Sequence, residues 1–474
     1  MGSCQFLGKS PGRKLLAQAL LAVVLGTLGG PPRAGAQLLP GVDDYAAAIV
    51  TLMQPRWVGP RVPWPLERAR PPESGPIAAS LLRPITIHAA AGIPEANART
   101  ALEAAEAMHD LLRAGGYPLP PPDGGLGGDG GFDLYLVPRA DTLHEAVSDG
   151  PWLFPSLPLD GAIVHAEAVG LLPPDRLFAC VAEAYAEATL LAMDPAEGEA
   201  WRRATATYLA SRLVGRLDGC HDDVVHQQEQ PFRAFAEAEE PRNAGGALLL
   251  AMLSDRHDGG SDTFVRELWT MARQRTWEGT ELRASPDLWE VIDRALDLSH
   301  VGFRPTMVDF AIARFFAGSP ARASQAPLAS LRTLPPEATV PIDFRVALAQ
   351  LPEYLPVHVP SLRPLGSSYA LVDVRGAPRG SRIRAWLRGE YGVRWSLVAI
   401  GLDDAGREHG RVLAPPSENI SRNYLPYELA PEVTSVLLVV TNLSGRVPDA
   451  DALDEHDRTF HLIVDLEEEA VWRR

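Results

Sequence analysis

The hydrophobic pattern is organised around 176–217, RLFACVAEAYAEATLLAMDPAEGEAWRRATATYLASRLVGRL. Two helical patterns flank a short break at Met193-Asp194-Pro195. The first is nearly all apolar except for Glu183 and Glu187, which the i, i+4 relation puts on one face. The second spaces Trp201, Ala204, Tyr208, Leu209, Leu213 and Leu217 as one buried stripe. Upstream, 85–88, 132–137 and 161–165 read as strands and 94–114 as a helix. Downstream, 247–253, 263–275, 286–296 and 306–317 read as helices with mixed faces. A Pro/Ser-rich stretch, 319–336, then marks a boundary. Beyond it 369–374, 382–387, 395–400, 411–413, 436–441 and 461–466 are short β-rich runs broken by Gly, Pro, Asp or Asn. Their spacing, near ten residues, predicts an antiparallel sandwich of about seven strands.

The helix pair resembles the active-site helices of gluzincin-type zinc metallopeptidases, in particular secreted bacterial, myxobacterial-type proteins with a C-terminal β-sandwich. In that family the first helix carries His-Glu-x-x-His and the second often reads Trp-x-x-Glu-Gly-x-Ala-Thr-Tyr-Leu-Ala. The matching residues here are Ala182-Glu183-Ala184-Tyr185-Ala186 and, later, Trp201 to Ala210, with Tyr208 in the anchor Ala206-Thr207-Tyr208. The resemblance implies an α+β chain: a mostly helical zincin-like lobe with a small N-terminal sheet over 83–320, a linker at 321–340, and an all-β sandwich over 341–474. It also implies a lost metal. Catalytic zinc takes three protein ligands, two of them histidines one helical turn apart. Ala182 and Ala186 offer no donor, and Arg203, at the third ligand position, is itself a cation. Glu183 keeps the general-base position with no zinc-bound water to activate. An isolated buried carboxylate is costly, so the expectation is that Arg203, or Arg202 one register away, faces Glu183 and takes the place of the cation.

Other features bound the function. Residues 1–36 read as a secretory signal peptide: Lys9, Arg13 and Lys14, an apolar run over 15–28, and Ala34-Gly35-Ala36 before Gln37. No later segment reads as a transmembrane helix. Residues 37–82 are Pro- and Arg-rich and read as an extended N-terminal arm, with a cleaved pro-segment as one option. Lysine occurs only at Lys9 and Lys14, which excludes lysine nucleophiles, Schiff bases and phosphate loops from the remainder. The chain carries a formal charge of −16, a poor match for nucleic acid. Cys180 and Cys220 bracket the helix pair, either as a disulfide or as two buried thiols.

Several histidine and acidic motifs compete for attention. The run 120–131, PPPDGGLGGDGG, brings Asp123, Asp129 and Asp133 close but fits no calcium-hand spacing, so it reads as a flexible connector. His144-Glu145-Ala146-Val147-Ser148 begins like a zinc motif and lacks its second histidine. His221-Asp222-Asp223 with His226 is metal-like in composition but not in spacing, and reads as a surface loop. Gly8-Lys9-Ser10-Pro11-Gly12 falls in the leader and is no nucleophile elbow. Trp386 and Trp395 suit core packing or sugar stacking, and the sequons at Asn419 and Asn442 read as coincidental. Three functions stay open. One is a non-catalytic, secreted metallopeptidase-like protein, with no cofactor, that binds a peptide, protein or cell-surface ligand. Another is an active hydrolase holding zinc on displaced ligands among Glu183, Glu187, Glu197, Glu199 and His165. The last is a plain adhesion or structural protein.

Overall fold

The computed structural model describes 61–63, 69–72, most of 75–153, 160–217, 220–233 apart from 222, 245–273, 281–283, 286–317, 334, 338–355, 361–414 apart from 391, 422–443 and 458–468. The expected leader 1–36, most of the expected arm 37–82, nearly all of 319–336 and the sequon at Asn419 lie outside the described residues. Among the described residues no helix is long and apolar enough to cross a membrane.

The chain is α+β. A short strand β1 (Arg61–Pro63) pairs with β7 (Glu281–Arg283). A five-stranded sheet follows, built from β2 (Ile77–Ala79), β3 (Ile85–Ala89), β4 (Phe132–Val137), β5 (His144–Leu153) and β6 (Asp160–Val169) in the order β2-β3-β4-β6-β5. β3, β4 and β6 run parallel, while β2 and β5 close the two edges antiparallel. Period-2 alternation sorts the side chains. Ile85, Ile87, Leu134, Leu136, Val164 and Ala166 face the helical core. His88, Asp133, Tyr135, His165 and Glu167 occupy the alternate positions.

On the apolar face lie α1 (Glu95–Ala114) and α2 (Pro174–Met193). Proline at its first turn and Asp175 beside it favour the start of α2, and Asp194-Pro195 ends it. From Ala179 to Met193 every residue of α2 is buried, because the helix is enclosed by the sheet, α1 and α3 (Glu199–Val214). Six alanines in that stretch let the neighbouring backbones approach closely. α3 ends on Gly215 at φ +75°, the left-handed residue that closes helices. The lobe continues through α4 (Asp223–Glu229), α5 (Ala247–Asp258), α6 (Thr263–Ala272), α7 (Leu288–Leu298) and α8 (Phe303–Phe316). Asp287 and Glu290 cap α7 reciprocally. The polar run after His221, expected as a loop, is the helix α4, with Asp223, Val224, Gln227 and Gln228 turned inward.

Among the described residues, the C-terminal region has nine strands in two sheets. β13 (Glu408–Leu413), β12 (Trp395–Leu402), β15 (Ser435–Asn442), β10 (Ser367–Asp373) and β8 (Phe344–Ala347) form one sheet. β14 (Arg422–Glu428), β11 (Arg382–Gly389), β16 (Phe460–Glu467) and β9 (Glu353–Leu355) form the other. All described pairings are antiparallel except β8 on β10, which departs from the wholly antiparallel expectation. The sheets share a core of Val372, Ile383, Leu387, Leu397, Leu438 and Leu462 among others. The five-stranded sheet is covered on its second face too. Val308, Ala311, Ile312, Phe315 and Phe316 of α8 pack on Tyr369, Val398, Ile400, Leu437 and Val439, and the Tyr369 hydroxyl donates to the Ala311 carbonyl at 2.7 Å. Trp395 is core, while Trp386 lies on the outer face beside Tyr424, with the Arg384 guanidinium over its ring. Asn442 is fully buried and donates to the Leu362 carbonyl, which leaves no room for a glycan.

Candidate functional site

Glu183 and Glu187 lie one turn apart on α2, each 1% exposed. Two ionised carboxylates in such a position need counter-charge, and the chain supplies it from two elements. β5 adds to the sheet edge antiparallel to β6, and this places His144 over α2. His144 is 2% exposed. Its Nε2 is 3.2 Å from Glu183 Oε2, and its Nδ1 is 3.3 Å from Glu187 Oε2, close enough for an ion pair but not aligned as a hydrogen bond. From α3, the Arg203 guanidinium approaches Glu187 Oε1 at 3.9 Å and pairs with the more exposed Glu199 at 3.0 Å.

Glu183 is satisfied further. The Thr207 hydroxyl donates to Oε2 at 3.0 Å and the Cys220 amide to Oε1 at 3.0 Å. Burial alone would strip the proton from His144, but the two carboxylates outweigh it and hold its pKa up at about 9. The imidazole is therefore a cation at neutral pH. Burial likewise favours protonation of Glu187, and is overcome by His144 and Arg203, so its pKa lies below the ordinary glutamate value. One imidazolium and one guanidinium thus balance the two carboxylates of α2.

Cys180 and Cys220 form a disulfide across 40 residues, worth about 4 kcal/mol by loop-closure entropy. Its sulfurs sit in a small apolar cluster with Ala179. Arg176 of α2 donates to the Cys220 carbonyl at 3.1 Å, so the segment after α3 is pinned back onto α2 at several points. That brings His221 against His144, ring centroids 5.0 Å apart and nearly edge to face. Burial first, and then the positive His144, push the His221 pKa down to about 4, so this imidazole is neutral. Ligand atoms of His144, Cys220 and His221 lie within 4.8 Å of one another, but the Cys220 sulfur is committed to the disulfide and is no thiolate here.

The sequence expectations divide accordingly. Ala182, Glu183, Ala186 and Arg203 all lie in the buried core of the helix pair. Arg203 does bring a cation to the carboxylates, but to Glu187 one turn along and not to Glu183. Arg202, the other candidate, is bound to the Glu197 carbonyl. Tyr208 is turned elsewhere, its hydroxyl donating to Asp262. His144, read as an incomplete motif, supplies the central cation, and His221, read as surface, lies next to it. The displaced-ligand set does not converge. Glu197 accepts from the Leu288 amide at the start of α7, Glu199 is 47% exposed, and His165 points to the other face of the sheet, 2.9 Å from Asp149. The positions expected from the resemblance, Ala182, Ala186 and Arg203, do not fit a zinc ion: two carry only a methyl group and the third a guanidinium.

That opposite face holds a second polar cluster. Arg70, from the N-terminal arm, donates to both oxygens of Asp149 at 3.2 and 2.7 Å, to Asp123 at 2.8 Å, and to Asp133. His88 is 2.8 Å from Asp133. Asp123 is held by the amides of Gly125 and Gly127. A Cβ on Gly127 would come within 1.6 Å of an Asp133 oxygen, so only glycine permits this close approach. The glycine-rich run expected as a flexible connector therefore lies against an arginine–carboxylate cluster, in which Asp123 of the run and the neighbouring Asp133 pair with Arg70. No family model matches the chain, and no curated protein is significantly similar to it.

Proposed function

We propose that this chain is a secreted, metallopeptidase-like protein that acts by binding a peptide, protein or cell-surface ligand and not by hydrolysis. The observation that carries this reading is the pair of cations beside the buried carboxylates of α2. His144 and Arg203 neutralise Glu183 and Glu187 inside a core where all four are at most 3% exposed. A general base needs an activated water and access to substrate, and Glu183 spends its oxygens on His144, Thr207 and the Cys220 amide. A groove of about 770 Å³ lies between α1, the start of α2 and the end of α3, bordered by Glu103, Asp175, Arg176 and Arg216. Export rests on the leader pattern and accords with a disulfide, a bond that persists in oxidising compartments.

The oxidised protein, recovered from outside the cytoplasm and starting near Gln37, is expected to contain no stoichiometric zinc and to leave casein intact with zinc added. Stoichiometric zinc, together with hydrolysis that Glu183→Gln abolishes, would replace this reading by that of an active peptidase.

A further inference from the structure

The disulfide stands beside two imidazoles that make incomplete use of their nitrogens. His221 Nε2 is buried with no hydrogen-bond partner, and His144 Nδ1 is buried with only the unaligned Glu187 Oε2 nearby, at 3.3 Å. One nitrogen of each ring and the Cys220 sulfur fall within 4.8 Å of one another. A thiolate and two imidazoles form a donor set that suits zinc, which binds sulfur at about 2.3 Å and nitrogen at about 2.0–2.1 Å. Hard, oxygen-seeking cations are poorly served by it. We propose that reducing the Cys180–Cys220 disulfide converts this corner of the protein into a zinc site with Cys220, His144 and His221 as ligands.

The chemistry balances with a dithiol as reductant. It gives two electrons and two protons to the disulfide, becoming a disulfide itself and leaving thiols on Cys180 and Cys220. Zinc then displaces the Cys220 thiol proton and any proton on the coordinating imidazole nitrogens. The surroundings hold the ligands in place without the bond. The Cys220 peptide is fixed by Arg176 at its carbonyl and by Glu183 at its amide. His144 lies in a strand and is held by Glu183, the carboxylate-to-histidine contact that orients metal-bound imidazoles. The site is distinct from the peptidase position, because it uses neither residue 182, 186 nor 203. It also exists only in the reduced form, so it goes beyond the non-catalytic reading of the oxidised protein.

The test uses the full-length protein with zinc alone, and cobalt as a spectroscopic reporter. The oxidised protein should take up no stoichiometric metal. Protein reduced with a non-chelating phosphine, and separately the Cys180→Ala variant, should each bind one equivalent, with the thiolate-to-cobalt charge-transfer band. Adding Cys220→Ala to Cys180→Ala should abolish both uptake and band, and His221→Ala in the same background should weaken uptake. Equal uptake by oxidised protein would overturn the proposal, and so would retention of zinc without Cys220. Absence of metal from both reduced forms would overturn it, and loss of the fold on reduction, read by circular dichroism, would do so equally. Absence of metal from both reduced forms leaves the non-catalytic reading of the oxidised protein standing, whereas hydrolysis by the oxidised form that Glu183→Gln abolishes defeats that reading whatever the reduced forms bind.

Discussion

The N-terminal sheet carries a histidine–carboxylate–arginine cluster on each face, and the two are closed in different ways. On the helix face, His144 and Arg203 belong to a strand and a helix that the core itself fixes, and the side chains of both are at most 3% exposed. On the other face, the closing arginine comes from the arm and is 11% exposed. The first cluster is part of the fold's interior, so its charges must be balanced whenever the chain is folded. The second is completed by a segment laid over the sheet. Buried charges are tolerated when paired, and removing one partner costs far more than the pair contributes. The comparison thus predicts unequal penalties for removing corresponding cations.

The largest penalty belongs to His144. His144→Ala leaves Glu183 with only the neutral donors of Thr207 and the Cys220 amide and Glu187 with only the offset Arg203, and should cost about 3–5 kcal/mol in chemical denaturation. The penalty should shrink in a Glu187→Gln background, where one of the two charges is gone. An effect under 1 kcal/mol would mean that the helix-face carboxylates do not depend on this imidazole.

Next in size is the dependence on pH. The His144 pKa is raised to about 9, so its stabilisation is complete below the ordinary imidazole value near 6.5 and is lost as pH climbs through 9. The shift corresponds to roughly 3 kcal/mol, visible as a fall in stability between about pH 7 and 10. His144→Gln should abolish that step. On the other face, Arg70 stays charged through this window, its pKa held above the ordinary value because the bond to Asp149 and neighbouring charges outweigh burial.

The sequence carried one half of this comparison. Glu183 and Glu187 at i, i+4 on an apolar helix announce a buried pair in need of cations, and with no lysine beyond Lys14 those cations had to be arginine or histidine. The identity of the histidine was hidden by topology. His144 precedes the helix by some 30 residues and reaches it because β5 turns back antiparallel along β6, through a bulge between Ser148 and Gly150. Neither Gly150-Pro151 nor a clean alternation flags that strand. The C-terminal half shows the reverse. WSLVAIGL and SVLLVVTN are continuous apolar runs where β11 alternates, and such runs mark strands covered on both faces. The cover is α8, from before the Pro/Ser-rich stretch. A fragment beginning at 341 would expose Tyr369, Val398, Ile400, Leu437 and Val439. Short or proline-bearing strands, β9 and β14 among them, left no periodic trace at all.

The smallest effect expected is at Arg70, and it sharpens the contrast most. Arg70→Met removes charge-assisted bonds to Asp123, Asp133 and Asp149, each kind of bond contributing about 1.5–3 kcal/mol where no relief is available. Relief is available here. Asp133 already has a raised pKa, chiefly from burial, so it can take up a proton, and water can replace an arm residue at the surface more readily than a core strand. The net cost should therefore be about 1–2 kcal/mol near neutral pH and should diminish as pH falls and the aspartates become neutral. Salt offers an independent reading. Raising ionic strength from about 0.1 to 1 M shortens the screening length from about 10 to 3 Å, which should reduce the Arg70→Met penalty by a few tenths of a kcal/mol and leave that of His144→Ala unchanged. Equal salt responses at the two faces would show that the arm-closed cluster is as sealed as the helix-face one, and the distinction between them would fall.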